Sequence, residues 1–275
     1  MDKKLITFGC SFTEFSWPTW ADWMGTVYPN YINLGNGGSG NRAIFHTFME
    51  AYDKGVIDKN TDVVIQWTSL LRHDHIPFHK NRYLGLGSVI HSGNYSQEYI
   101  DNYFNPIQSI NETRHYINVV KSLLDVRRIN YTMFFMLDPW LSDLLGEPWH
   151  NGAFEFPKAY KRKMKKALDK LEETYSGQVI DESLSIYQAT HQKESYYCWK
   201  SDDEEIKVEG HPGPKTHYNY FLHKILPFFP HLQNIVPDNT NKLLEWEVWA
   251  KIKCSEFEKF DRKPKFPSTK TRVIW

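Results

Sequence analysis

Four short apolar runs constrain the fold more than any other feature of the chain: Leu5-Ile6-Thr7-Phe8, Tyr31-Ile32-Asn33-Leu34, Asp62-Val63-Val64-Ile65-Gln66-Trp67 and Tyr131-Thr132-Met133-Phe134-Phe135-Met136-Leu137. Each has the length of a buried strand and ends at a glycine, hydroxyl or proline turn signal. Segments with helical spacing separate them. Ile44, Phe45, Phe48 and Tyr52 mark a helix over 41–54; Tyr116, Val119, Val120, Leu123 and Leu124 mark one over 111–128. Tyr160, Met164, Leu168 and Leu171 form the apolar stripe of a Lys-rich helix over 156–175, and a last core helix is predicted over 217–228. Pro18 suits the first turn of a short helix after the first strand. Strands alternating with helices predict an α/β fold, a parallel sheet covered on both faces.

Gln178-Val179-Ile180-Asp181 reads as a fifth strand. Residues 73–105 show no period and predict a long irregular insertion, the kind of loop that forms lids or binding surfaces. Composition changes beyond Pro237, which divides the chain into a domain over 1–236 and an extension over 237–275, a Trp-containing helix followed by a basic tail. Oligomerisation through that extension is left open.

Lys and Arg total 33 against 33 Asp and Glu, so no broadly basic surface is available and no nucleic-acid partner is expected. Cys10, Cys198 and Cys254 make neither a paired framework nor metal-type spacing, which fits a reducing compartment. The first strand begins at Leu5, leaving no room for a signal peptide, and no apolar run is long enough to span a bilayer. A cytoplasmic location without membrane contact is the expectation.

Three turns and one His-Pro element carry candidate chemistry. Gly9-Cys10-Ser11 ends the first strand in a tight turn that lifts the Ser11 hydroxyl above the sheet edge where ligands of parallel α/β proteins collect. Gly35-Asn36-Gly37-Gly38-Ser39-Gly40, after the second strand, can bring backbone amides close to a ligand. Thr68-Ser69 follows the third, with Trp67 and Arg72 beside it as candidate substrate contacts. His211-Pro212 precedes the last core helix. His73-Asp74-His75 with His79 matches no standard metal spacing, so no metal is expected there. The glycine-rich loop lacks both a Gly-x-Gly-x-x-Gly after the first strand and a phosphate-loop lysine, which argues against a nucleotide site.

In this order the elements resemble the SGNH (GDSL-like) hydrolase superfamily, in particular divergent members of the kind found in phages and marine bacteria. The resemblance runs from the first strand to about Phe229. It implies a three-layer flavodoxin-like fold with a five-stranded parallel sheet, and serine esterase chemistry without a cofactor. Gly9-Cys10-Ser11-Phe12-Thr13 is similar to the first family block, with Ser11 as nucleophile and Cys10 where the family usually has Asp. Cys10 as the attacking group ranks below Ser11, because a small cysteine is usually buried and inert. Asn33-Leu34-Gly35-Asn36-Gly37-Gly38 is similar to the second block and gives Gly38, with Gly37 as the neighbouring alternative, the role of oxyanion-hole donor. The family's third block carries an Asn; here Ser69 lies nearest that position and brings a hydroxyl instead of an amide.

Glu209-Gly210-His211-Pro212 is similar to the block that carries the general base, usually Asp-x-x-His. Val208 stands where that Asp would be, so Glu209, Asp202, Asp203 or a backbone carbonyl is left to orient His211. The implied substrate is a small acyl ester, acetyl for preference, on a small molecule or saccharide. An acyltransferase on the same site, or an inactive binding protein with this fold, are the other readings.

Overall fold

The computed structural model describes residues 3–75, 84–89, 94–136, 158–175, 198–200, 206–208, 211–233 and 240–256. Four parallel strands form the central sheet: β1 (Lys4–Gly9), β2 (Asn30–Gly35), β3 (Thr61–Trp67) and, after a hairpin, β6 (Asn130–Phe135). Their order is β2-β1-β3-β6, so the chain winds one way from β1 to β2 and then crosses β1 to β3. That reversal opens a crevice between the carboxyl ends of β1 and β3, where doubly wound folds hold their ligands. The fifth strand predicted at 178–181 lies outside the described residues.

Side chains alternate across the strands and make two cores. Ile6, Phe8, Val63, Ile65, Trp67, Met133 and Phe135 face one side. There they meet α2 (Asn41–Asp53), α4 (Pro106–Val126) and α5 (Lys158–Tyr175) through Ile44 and Phe48, Ile117 and Val120, and Met164 and Leu168. Leu5, Val64 and Phe134 face the other, under α1 (Trp20–Gly25) and α6 (Pro214–Tyr220), which continues into a π turn over Phe221–Ile225. The last helix, α7 (Thr240–Glu256), lies on this second face: Trp246 packs at 4.0 Å centroid separation from Trp23, and Trp249 Nε1 donates to the Ser16 carbonyl.

Several stretches differ from the sequence expectation, among them Pro18, which precedes α1 and its cap Thr19 instead of opening the helix. The insertion is not wholly irregular: β4 (Arg72–His75) and β5 (Leu84–Ser88) form an antiparallel ribbon with a register shift, and Ser96 caps a short helix α3 (Gln97–Asn102). Strands of four and five residues broken by a bulge carry no readable period. α4 starts five residues before position 111, because Asn105 accepts from the Ile107 and Gln108 amides and Pro106 supplies the first helical residue.

Opposite the crevice, the fully buried Asp62 gathers the amino-terminal edge of the sheet. Its carboxylate accepts from Lys3 Nζ at 2.8 Å, the Tyr28 hydroxyl at 2.6 Å and Asn130 Nδ2 at 3.2 Å. His231 Nε2 stands 2.9 Å away. Burial and the neighbouring Asp62 charge push the Tyr28 hydroxyl far above its ordinary pKa, so it remains a donor. Removing one member of a buried charge cluster costs about 3 kcal/mol or more. Asp62→Ala is therefore expected to lower unfolding stability by about 3 kcal/mol in urea titrations, removing the shared acceptor and leaving the buried Tyr28 hydroxyl without one.

Candidate active site

The turn after β1 is shaped by what lies beneath it. The Thr13 and Glu14 amides both donate to the Cys10 carbonyl, which reverses the chain at Ser11. Thr13 then folds back over Gly9: its hydroxyl donates to Gln66 Oε1 at 2.8 Å, and its carbonyl accepts from Asn33 Nδ2 and the Thr19 hydroxyl. A Cβ at Gly9 would stand 2.0 Å from Thr13 Oγ1, so only glycine lets the turn close this tightly. Cys10 is fully buried and directs its sulfur at Met136 Sδ, 3.3 Å away. Ser11, next along, points the other way.

Ser11 Oγ lies 2.8 Å from His211 Nε2, across 200 residues of sequence. The imidazole stacks on Phe15 at 3.8 Å between centroids and 17° between planes, with Phe12 at 5.0 Å. Its loop is tied to the segment that follows β1 by two indoles. Trp17 Nε1 donates to the Pro212 carbonyl at 2.7 Å and Trp23 Nε1 to the Pro214 carbonyl at 2.9 Å. Phe15, Trp17 and Trp23 thus fix the ring that meets Ser11. The spacing of aromatics after the first strand was visible in sequence; their pairing with a loop nearly 200 positions away was not.

The glycine-rich loop arches over the same point. A Cβ on Gly37 would stand 3.9 Å from Ser11 Cβ, and Gly38 adopts φ 80° in the turn closed by the Ser39 amide and the Asn36 carbonyl. Neither the Ser11 nor the Gly38 N–H has a hydrogen-bond partner among the described residues. Ser69, nearly buried, accepts from the Leu71 amide through its Oγ, which leaves its own O–H to donate elsewhere.

Two residues that sequence reasoning missed hold these loops. Asn41 Oδ1 accepts from the Thr68 amide at 2.7 Å while its Nδ2 donates to the Thr68 carbonyl, so the first residue of α2 clamps the turn after β3. Asp74 accepts from the Gly40 amide at 2.6 Å and the Ala43 amide at 2.8 Å. It caps α2 from a neighbouring strand, where a carboxylate meets the positive end of the helix. Burial is the largest influence on Asp74 and raises its pKa, opposed by those two amides. The histidines beside it make other contacts, His73 Nδ1 with the Tyr99 hydroxyl; His79 lies outside the described residues.

Trp67, expected at the substrate, is instead fully buried in the core beneath α2 and α4, because the strand alternation sends residue 67 to that face. Arg72 is half-buried at the start of β4, its Nη1 donating to the Ser39 carbonyl at 3.2 Å. Glu209, Asp202 and Asp203 lie outside the described residues.

His217, on α6 behind His211, is fully buried and its Nδ1 has no partner among the described residues. Burial, with His211 nearby, lowers its pKa from 6.5 to about 3, so it is neutral in the folded protein. Unfolding restores the ordinary pKa. Stability carried by the neutral ring is therefore complete above pH 6.5 and is lost as pH falls toward 3. Urea midpoints measured from pH 7.5 downward should show wild type weakening relative to His217→Phe, with a limiting slope of about 1.4 kcal/mol per pH unit.

No family model matches the chain, and no curated protein does either. Among solved structures, it is similar to a member of the lipolytic protein G-D-S-L family from Veillonella parvula DSM 2008. The two share 12% identity over 84% of this chain and 100% of that one, with a TM-score of 0.42. It is also similar to the acetyl xylan esterase AlAXEase, at 13% identity over 79% of this chain and 96% of that one, with a TM-score of 0.37. No described helix is long and apolar enough to cross a membrane.

Proposed function

We propose that the chain is a serine esterase of SGNH type that removes a small acyl group, acetyl for preference, from a saccharide ester. The observation that carries this reading is the 2.8 Å contact between Ser11 Oγ and His211 Nε2 at the crevice where the sheet order reverses. Nucleophile and base within hydrogen-bond reach are the geometric signature of covalent acyl transfer.

In this mechanism Ser11 Oγ attacks the ester carbonyl as His211 Nε2 takes its proton. Negative charge on the carbonyl oxygen is met by the Ser11 and Gly38 N–H groups and the Ser69 hydroxyl. Collapse breaks the C–O bond to the alcohol, which leaves with the proton from His211. Water then attacks the acyl-Ser11 carbonyl, giving its proton to His211; release of the carboxylic acid returns that proton to Ser11. Glu209, two positions upstream, is proposed to orient the imidazole.

A saccharide substrate is favoured by the aromatic run on the insertion. Tyr95, Tyr99 and Tyr103 follow one another with ring centroids 5.1 and 6.0 Å apart, beside His73 and His75. Aromatic faces of this kind stack on sugar rings.

Hydrolysis of p-nitrophenyl acetate and of peracetylated monosaccharides by purified protein tests the reading. Wild type should turn over both, and Ser11→Ala or His211→Ala should lose at least about a thousandfold in kcat. Undiminished turnover by Ser11→Ala contradicts it. Trp17→Phe, which keeps the ring and loses the bond to Pro212, should lower kcat by roughly ten- to a hundredfold with little change in KM, the result of a displaced base.

A further inference from the structure

The loops over the crevice end at a cation, Arg72, that makes no ion pair with any described carboxylate. Arg72 is half-buried, and its side chain meets a main-chain carbonyl and a thioether: Nη1 donates to Ser39 O at 3.2 Å, and Nη2 stands 4.0 Å from Met136 Sδ. No carboxylate pairs with it among the described residues. Asp74, whose titration responds to the Arg72 charge, spends its two oxygens on the Gly40 and Ala43 amides that fix the start of α2. A partly desolvated guanidinium without a counter-ion is costly unless something else supplies one.

Its position says what that something is near. Ser39, whose carbonyl it holds, follows Gly38 directly, and Met136 Sδ also receives the Cys10 thiol at 3.3 Å, one residue before Ser11. One guanidinium therefore touches the loop that follows β2 and the sulfur packed under the turn that follows β1. Guanidinium forks bind carboxylates and phosphates through paired N–H donors, and two contacts of moderate quality leave donors available.

Resting on the esterase reading for its location, we infer that Arg72 selects substrates carrying an anionic group beside the ester, a carboxylate on the sugar ring being the class that fits a single guanidinium. The aromatic run Tyr95-Tyr99 continues from the same ribbon, since the Tyr95 hydroxyl donates to the His73 carbonyl next to Arg72.

Calorimetric titration of the Ser11→Ala protein with D-glucuronate and with methyl glucuronate, its uncharged ester, tests this apart from turnover. The acid should bind about tenfold more tightly, as a charged hydrogen bond allows. Adding Arg72→Gln should erase that difference while leaving the affinity for methyl glucuronate unchanged, and Arg72→Lys should restore part of it. Equal binding of the two ligands, a difference that survives Arg72→Gln, equal weakening of both, or no binding of either overturns the inference. A preference that depends on Arg72 in a protein that hydrolyses no acetyl ester would support the anion site and refute the esterase.

Discussion

The proposed chemistry depends on one short contact, Ser11 Oγ to His211 Nε2, made by residues 200 positions apart. Neither end is held by local structure alone. The Ser11 turn is tied down by Thr13, whose hydroxyl reaches Gln66 on β3 and whose carbonyl is held by Asn33 on β2, so adjacent strands on both sides fix it. The His211 loop hangs from the indole N–H groups of Trp17 and Trp23 and lies flat on Phe15. The segment that leaves Ser11 thus also carries the anchors for His211. Both partners move with one piece of chain.

The donors around that contact are organised by the same economy. Asn41 clamps the loop of Ser69 through both main-chain groups of Thr68, while Asp74 holds the amides of Gly40 and Ala43. The two loops over the crevice are therefore braced at the start of α2. A Cβ on Gly40 would come within 2.7 Å of Asp74 Oδ2, so the cap and the glycine require each other. Preorganised donors of this kind stabilise developing charge without reorganising during reaction, and removal of one is worth roughly 3 kcal/mol where it has been measured. In the proposed mechanism those donors are the Ser11 and Gly38 amides, unpartnered among the described residues, and the Ser69 hydroxyl in place of a side-chain amide.

Much of the architecture could be read from the sequence because strand periodicity is a local property. The runs at 5–8, 31–34, 62–67 and 131–137 appear as β1, β2, β3 and β6, in parallel and with helices on both faces. Elements that owe their form to distant contacts were not readable. The β4–β5 ribbon is too short for a pattern, and the last core helix tightens into a π turn and a 3₁₀ turn where Pro227 cannot donate an amide. At the site, Ser11 stood out as the residue of the turn that ends the first strand, while Gly38 and His211 were pointed to by the resemblance of their blocks; the structure brings Ser11 Oγ and His211 Nε2 together and gives Gly38 a positive φ. Trp67 shows the converse. Being next to a functional turn suggested exposure, while the alternation of β3 places its side chain in the core. Asp74 looked like part of a histidine cluster, and only three-dimensional proximity reveals it as the cap of α2.

The most direct measurement is the site and rate of covalent modification by a fluorophosphonate, followed by intact mass and peptide mapping. The paired geometry predicts one adduct, on Ser11, formed at a rate that collapses in His211→Ala although the serine is still present. No adduct at all, an adduct on another residue, or labelling of Ser11 at the same rate without the imidazole would contradict the claim that these two side chains work as a unit.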